Sequence, residues 1–175
     1  MNDGLRDRPR VLIAGVGNIF LGDDAFGVEV VQRLAHRRLP DGVRVADFGI
    51  RSLDLVYALL DGYESVILVD ALPRGGVPGT LYVIESDAAQ WRAPAEHGLL
   101  QGHGMDLVQV LRQAAALGCT VQRVLLVGCE PAAVGDDDMA PGLSEPVRAA
   151  VDDAVRLVED VAARLLAGQD AALPT

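Results

Sequence analysis

The sequence contains few aromatic residues and few cysteines, and each shortage argues against a class of protein. Aromatic residues make up 4% of the 175 residues, so a buried core must be built from Val, Leu, Ile and Ala. Cysteine occurs only at Cys119 and Cys129, without CxxC or CxxH spacing, which makes a thiolate zinc site a poor explanation. So little cysteine fits a reducing, cytoplasmic setting.

Basic residues and long apolar runs are also scarce. The chain has 15 Lys and Arg against 25 Asp and Glu, which gives a formal net charge of −10. An acidic surface repels phosphate groups, so nucleic acid and anionic membranes are disfavoured as partners. The longest uncharged apolar stretch, residues 11–22, is too short and too rich in glycine to cross a bilayer. Residues 1–10 lack the pattern of a secretory signal.

What is present is an alternation of apolar strands and amphipathic helices. The pattern predicts strands at residues 10–16, 43–48, 65–71, 80–85 and 121–127, and helices at 25–37, 52–60, 104–117 and 144–166. It favours an α/β fold, a single three-layer domain with a twisted, mostly parallel five-stranded sheet and helices on both faces. The domain is expected to span residues 10–167, with flexible tails at 1–9 and 168–175. The apolar repeat of the last helix also fits a coiled coil, although packing across the sheet is favoured.

Three groups of polar residues follow predicted strand ends or precede a predicted helix. Asp23 and Asp24 end the glycine-rich segment 15–24, Asp70 ends the third strand, and His103 precedes the third helix. In a doubly wound fold the strand ends and helix starts meet at one rim, so Asp24, Asp70 and His103 are expected to lie there together. Two carboxylates and one imidazole suit a divalent transition ion and leave positions open for water or a substrate.

Each of these groups also has a plainer interpretation. Asp23 and Asp24 could cap the first helix, which needs only one of them, and Asp23 is expected to take that role. Asp70 could be a solvated loop acid, and His103 a surface helix cap. The glycine-rich segment also resembles a dinucleotide-binding fingerprint, but the third glycine of that fingerprint would fall at Phe20. Nucleotide binding is therefore a minor alternative.

Four segments of the chain carry a family resemblance. They are Gly15-x-Gly17-Asn18 followed by Asp23-Asp24 and Gly27; Val69-Asp70-Ala71; His103 followed by Asp106-Leu107; and Val127-Gly128-x-x-Pro131 followed by Gly142-Leu143-Ser144. Taken in order, they resemble the hydrogenase maturation endopeptidases over about residues 10–166. The first segment is the most specific of the four.

The resemblance implies an endopeptidase that removes the C-terminal tail of a nickel-loaded nickel-iron hydrogenase large-subunit precursor. It implies that Asp24, Asp70 and His103 are the catalytic residues and also contact the nickel, which the substrate delivers. The family fold, a twisted sheet flanked by helices, agrees with the predicted elements. Hydrolysis is expected to use either a metal-activated water or a carboxylate as general base, since neither HExxH nor GxSxG occurs.

A second glycine-rich segment of the family, Asp-Gly-Gly-Thr-x-Gly, corresponds to residues 47–52, where only Asp47 and Gly49 are retained. The resemblance implies that Asn18, Asp47 and Gly49 contact the substrate, with Arg51 as a local replacement contact. The expected partner is the large-subunit precursor, and a monomer is compatible with the acidic composition. A non-catalytic adaptor that only checks nickel loading would use the same residues.

Overall fold

The computed structural model describes residues 10–86, 91–92, 106–132 and 141–169. The strands within them are β1 (Val11–Val16), β2 (Val43–Gly49), β3 (Ser65–Ala71), β4 (Leu81–Ser86) and β5 (Arg123–Cys129). The helices are α1 (Phe26–Ala35), α2 (Ser52–Ala58), α3 (Leu107–Ala116) and α4 (Glu145–Leu166), with 3-10 turns at Gly22–Ala25 and Leu59–Asp61. The predicted flexible tails fall almost entirely outside the described residues, and the predicted domain bounds stay a prediction.

The strands form one sheet in the order β2-β1-β3-β5-β4. β1 pairs in parallel with β2 and β3, β3 pairs in parallel with β5, and β4 runs antiparallel to β5 at the edge. β1 and β3 are buried along their whole length, as expected for central strands covered on both faces. The prediction of a single α/β domain with a mostly parallel five-stranded sheet is confirmed.

Helices cover both faces of this sheet. α1 and α4 pack together on one face, around a core that includes Ile13, Phe26 and Val151. α2 and α3 pack together on the other face, around a core that includes Leu12 and Leu55. The apolar stripe of α4 is buried in the first core, so the coiled-coil alternative is wrong. Among the described residues, no helix combines the length and apolar character needed to cross a membrane.

Polar residues at three helix starts differ in whether their side chains cap the helix. Ser52 is the first residue of α2, and no side-chain cap bond forms there. Ser144 precedes α4, but its hydroxyl donates to Asp23 Oδ2 at 2.8 Å and does not cap the helix. Asp106 caps α3 by accepting from two backbone N–H groups of the first turn, so that helix begins at Leu107, later than predicted.

Gly27 allows α1 to lie directly on the carboxyl ends of β1 and β3. A Cβ atom at this position would lie 2.0 Å from the Val69 carbonyl oxygen and 2.4 Å from that of Val16. Both oxygens belong to central strands, which cannot move independently of the sheet. The close approach brings the 3-10 turn that precedes α1 beside the end of β3, where Asp70 lies.

Replacing Gly27 with alanine is expected to lower the free energy of unfolding by about 3 kcal/mol, because the added methyl group forces α1 off the sheet. Gly118→Ala is the control. A Cβ there would meet nothing within 4 Å, and only the positive φ of 93° costs about 1 kcal/mol. Urea unfolding of both variants measures the difference. Equal losses would show that the approach of α1 to the sheet tolerates a methyl group.

Candidate active site

The chain leaves β1 and β3 towards opposite sides of the sheet. From β1 it passes through α1 to β2 on one side, whereas β3 leads towards β5 and β4 on the other. Such a switch point opens a crevice between the two strand ends, and ligands bind there in open α/β sheets. Asp24 lies in the 3-10 turn after β1, and Asp70 is the penultimate residue of β3. The topology therefore places both acids at this crevice.

Asp24 is held by the glycine-rich loop that follows β1. Its Oδ2 accepts a hydrogen bond from the Asn18 N–H at 2.7 Å. Gly17 has a φ of 132°, and a Cβ there would lie 1.9 Å from the Asp24 carbonyl oxygen. Only glycine lets the loop fold back so closely. The loop thus fixes the position of one carboxylate at the crevice.

Asp70 is a buried acid within the electrostatic reach of Asp24. The residue is 7% exposed, and its Oδ1 accepts a hydrogen bond from the Ala71 N–H at 2.8 Å. Burial raises the pKa of Asp70 well above its ordinary value, and the negative charge of Asp24 raises it further. The hydrogen bond from Ala71 lowers the pKa but only partly offsets the two effects. Asp70 therefore keeps its proton to a higher pH than an exposed aspartate does.

His103, the third predicted site residue, lies outside the described residues. Across residues 10–86, 91–92, 106–132 and 141–169, no group of three or more His, Cys, Asp or Glu side chains could hold a metal ion. Asp24 and Asp70 alone do not make up such a group. The convergence of His103 with Asp24 and Asp70 stays a prediction.

Two of the predicted substrate-binding residues join the loops after β1 and β2. The Asn18 side chain accepts from the Phe20 N–H at 3.0 Å, which closes a turn within the first loop. The Gly49 carbonyl oxygen accepts from the Gly17 N–H at 3.0 Å, which connects the second loop to the first. These contacts give both residues a structural role, and their contact with a substrate stays a prediction.

Arg51 and Asp47, the other two predicted substrate contacts, also interact with neighbouring residues. Arg51 Nε donates to the Phe48 carbonyl oxygen at 3.2 Å, and its terminal nitrogen donates to the Asp47 carbonyl oxygen. Asp47 Oδ2 accepts from Gln32 Nε2 at 3.4 Å. These bonds fix the end of β2 and occupy donors of the Arg51 guanidinium. A substrate-binding role for either residue stays a prediction.

The side chains most exposed in these two loops are apolar. Phe20 is 68% exposed and Ile50 is 63% exposed, and Ile19 beside Phe20 is also exposed. A group of exposed apolar side chains beside a crevice is a feature of interaction surfaces. Sequence reasoning missed them because it selected polar residues, and an apolar residue in a sequence is usually assigned to the core.

Asp23 has a different role from the one predicted for it. It does not cap α1, since no side-chain cap bond forms at either the 3-10 turn or that helix. Its Oδ1 accepts from the Ser144 N–H at 2.7 Å, and its Oδ2 accepts from the Ala132 N–H and the Ser144 hydroxyl, each at 2.8 Å. Asp23 therefore connects the β1 loop to the residues on either side of segment 133–140. The sequence signal for this second role was the pair of adjacent acids, because capping a helix needs only one of them.

Glu130 is a second buried acid that sequence reasoning missed. It follows β5 and accepts hydrogen bonds from the N–H groups of Arg74 and Gly75 and from the Tyr82 hydroxyl, at 2.9–3.1 Å. Burial raises the pKa of Glu130, but these hydrogen bonds outweigh it, and the net pKa lies below the ordinary value. Glu130 thus fixes the connection from β3 to β4, which begins just after Asp70.

Glu130→Ala is expected to lower the free energy of unfolding at pH 7 by about 3 kcal/mol, because three donors lose their acceptor. A lowered folded-state pKa stabilises the protein above the ordinary carboxyl pKa, and this stabilisation is lost as the pH falls through the folded-state value. The difference between wild type and variant should therefore shrink in acid. The exposed Glu145, changed to alanine, should cost about 0.5 kcal/mol or less. Denaturant unfolding at several pH values tests this, and a loss that does not depend on pH would contradict it.

The two carboxylates lie at the switch-point crevice of a doubly wound sheet, which places the protein among the α/β domains whose ligands bind at such a crevice. The family model for hydrogenase maturation proteases matches residues 28–161. The hydrogenase expression/formation protein HupM of Azotobacter chroococcum mcd 1 is 37% identical over 150 residues, which cover 85% of this chain and 69% of that protein.

Solved structures of this kind have the same fold. The hydrogenase maturating endopeptidase HybD from E. coli superposes with a TM-score of 0.72 at 29% identity, covering 91% of this chain and 94% of that one. The hydrogenase 2 maturation peptidase from a Thaumarchaeota archaeon gives 0.64 at 32% identity, covering 92% and 99%. The chain belongs to the hydrogenase maturation protease family. It is a protease that takes part in hydrogenase processing. The family match favours protease activity over the nucleotide-binding alternative.

Proposed function

We propose that this protease removes the C-terminal tail of a nickel-loaded nickel-iron hydrogenase large-subunit precursor, and that Asp24, Asp70 and His103 contact the nickel of that substrate. The observation that carries the proposal is the pair of acids at the crevice, where the charge of Asp24 raises the pKa of Asp70. A site that gathers two carboxylates against their mutual repulsion is suited to a cation.

The electrostatics favour a metal that arrives with the substrate over one that the enzyme holds. Burial and the charge of Asp24 raise the pKa of Asp70, so the free enzyme holds a proton there more tightly than an exposed aspartate does. A divalent cation must displace that proton, which weakens metal binding to the enzyme alone. A nickel ion already held by cysteine thiolates of the precursor needs only a few more ligands, and two oxygens and an imidazole nitrogen can supply them.

The same acids can serve the hydrolysis. A water molecule attacks the carbonyl carbon of the scissile peptide, a carboxylate takes the proton of that water, and the proton then passes to the departing amine. Activation of the water by the nickel of the substrate is the second route that fits this residue set. In both routes the crevice holds the peptide bond next to Asp24 and Asp70.

The surface beside the crevice fits a protein substrate. Phe20 and Ile50 are exposed in adjoining loops, so they can pack against apolar groups of the precursor as its tail enters. The scarcity of cysteine fits an encounter in the cytoplasm, and the acidic composition is compatible with a monomer.

Incubation of the purified protein with a nickel-loaded precursor tests the proposal. Mass spectrometry of the products should show one cut, which releases a C-terminal peptide. Asp24→Asn is the matched control and should release none. Binding of the precursor without any cut would instead identify an adaptor that checks nickel loading, and a thermal shift with NAD or ATP would indicate a nucleotide-binding protein.

A further inference from the structure

We propose that Asp23 is a positioning residue for the active site, which holds the turn that carries Asp24. Its side chain is buried, with 8% of the residue exposed, and accepts three hydrogen bonds from residues far away in the sequence. Two of the donors are backbone N–H groups, of Ala132 and Ser144. These long-range bonds anchor the turn that carries Asp24. Asp23 therefore acts on the active site through the position of that turn.

The three bonds connect one short turn to both ends of segment 133–140. Ala132 lies three residues after β5 and Ser144 directly precedes α4, so Asp23 fixes the β1 loop against the strand and the helix that flank this segment. Because the two N–H groups bind different oxygens of the carboxylate, the side chain is fixed in both position and rotation.

Asp24 is the next residue of the same 3-10 turn. Successive residues of a 3-10 helix point about 120° apart, so Asp23 can bind away from the crevice while Asp24 faces it. The Asp24 carboxylate is held on its other side by the Asn18 N–H at 2.7 Å. A side-chain bond therefore holds the turn through each acid, a long-range bond through Asp23 and a local bond through Asp24, and Asp23→Asn weakens the long-range one.

Asp23→Asn removes one acceptor and leaves the shape of the side chain. An amide has one acceptor oxygen and two donors, so one of the two backbone N–H groups meets a donor. The Asp24 carboxylate should then move relative to Asp70. Since a misplacement of about 1 Å can lower a rate about a hundredfold, we expect kcat for precursor cleavage to fall by about that factor. KM should change much less than kcat, because only one proposed nickel contact moves and the exposed apolar side chains beside the crevice are unchanged.

The first measurement needs no substrate. In a 15N-correlation spectrum, the Asn18 amide proton reports the Asp24 carboxylate that it binds. Asp23→Asn should move this signal towards its position in Asp24→Ala, where the bond is absent. Ser144→Ala removes only the hydroxyl donor and should move the signal in the same direction by a smaller amount. If Asp23→Asn fails to fold, Ser144→Ala takes its place in the test. Asp153→Asn, the same change at a side chain that is 67% exposed, should leave the signal in place.

The second measurement, the split between kcat and KM, rests on the proposed function. The positioning role is overturned if the Asn18 signal stays in place in Asp23→Asn and Ser144→Ala, or if kcat per folded Asp23→Asn molecule equals that of wild type. If the wild-type protein cleaves no precursor, the proposed function fails, and the amide signal still decides whether Asp23 positions Asp24.

Discussion

Asp70→Asn is expected to abolish removal of the tail and at the same time to make the protein more stable at neutral pH. The loss of activity follows because the variant lacks one of the two carboxylates at the crevice. Without it, cleavage should slow by about a thousandfold or more. The amide can still accept the hydrogen bond from the Ala71 N–H, which binds Oδ1 at 2.8 Å, so the end of β3 keeps its structure.

The gain in stability follows from the direction in which folding changes the pKa of Asp70. This pKa is higher in the folded protein than in the unfolded chain, so the folded state binds the proton more tightly. Stability therefore falls as the pH rises from the unfolded-state value through the folded-state value, and each tenfold difference in proton affinity between the two states corresponds to about 1.4 kcal/mol. The amide of Asp70→Asn has no proton to release in this pH range, so the variant does not lose this stability. Its advantage should be largest well above the folded-state pKa and should vanish below the ordinary value for aspartate.

Thermal unfolding of wild type and Asp70→Asn across the pH range, with cleavage assays on the same preparations, measures both effects. Asp24→Asn serves as a second variant. It should be as inactive, and it should gain less stability because it removes only the charge that acts on Asp70. Asp23→Asn should retain more cleavage activity than Asp70→Asn or Asp24→Asn. Processing by Asp70→Asn at the wild-type rate would show that the site is wrong, and a variant less stable than wild type at pH 8 would contradict the role given to burial.

The second large effect is a complete dependence of cleavage on nickel in the precursor. We expect the enzyme to be purified largely free of metal, because a cation must compete with the proton at Asp70, whose pKa is raised, and because only two carboxylates and one histidine are available to bind it. The enzyme is treated with a strong chelator, the chelator is removed, and precursor is added with or without nickel.

Only the nickel-loaded precursor should be cut, and the chelated enzyme should be as active as the untreated enzyme. Zinc added to the chelated enzyme is the control for an ordinary metalloprotease and should have no effect. Cleavage of nickel-free precursor, or an enzyme that stays inactive until zinc is restored, would rule out sensing of the nickel in the substrate.

The positions of Asp24 and Asp70 could be predicted from sequence because they depend on strand ends. Apolar runs locate β1 and β3, parallel strands bring their carboxyl ends to one edge, and an acid placed there reaches the crevice. Gly17 and Gly27 stand out in the sequence as parts of a motif. The physical reason why each must be glycine becomes apparent only in three dimensions. Gly17 lies against the backbone of Asp24, and Gly27 lies against the backbones of β1 and β3.

The roles of Asp23 and Glu130 could not be predicted because their partners, mainly backbone N–H groups, lie on remote segments. Asp23 binds residues 109 and 121 positions away, and Glu130 binds residues more than 45 positions away. A sequence pattern does not show which N–H groups a fold leaves without a partner. Ser144, directly before α4, likewise binds Asp23 in a remote loop and makes no side-chain cap bond to that helix. The exposed Phe20 and Ile50 were missed because apolar side chains are usually buried.

X-ray absorption at the nickel edge tests the central claim, that the acids at the crevice contact the nickel of the substrate. Nickel-loaded precursor is mixed with the enzyme and frozen within the first turnover, and its spectrum is compared with that of precursor alone. With the wild-type enzyme the nickel should gain oxygen or nitrogen neighbours beside its thiolate sulfurs. The Asp24→Asn/Asp70→Asn double variant, which should still bind the precursor, should leave the spectrum as it is without enzyme. Identical spectra with and without the wild-type enzyme would contradict the claim.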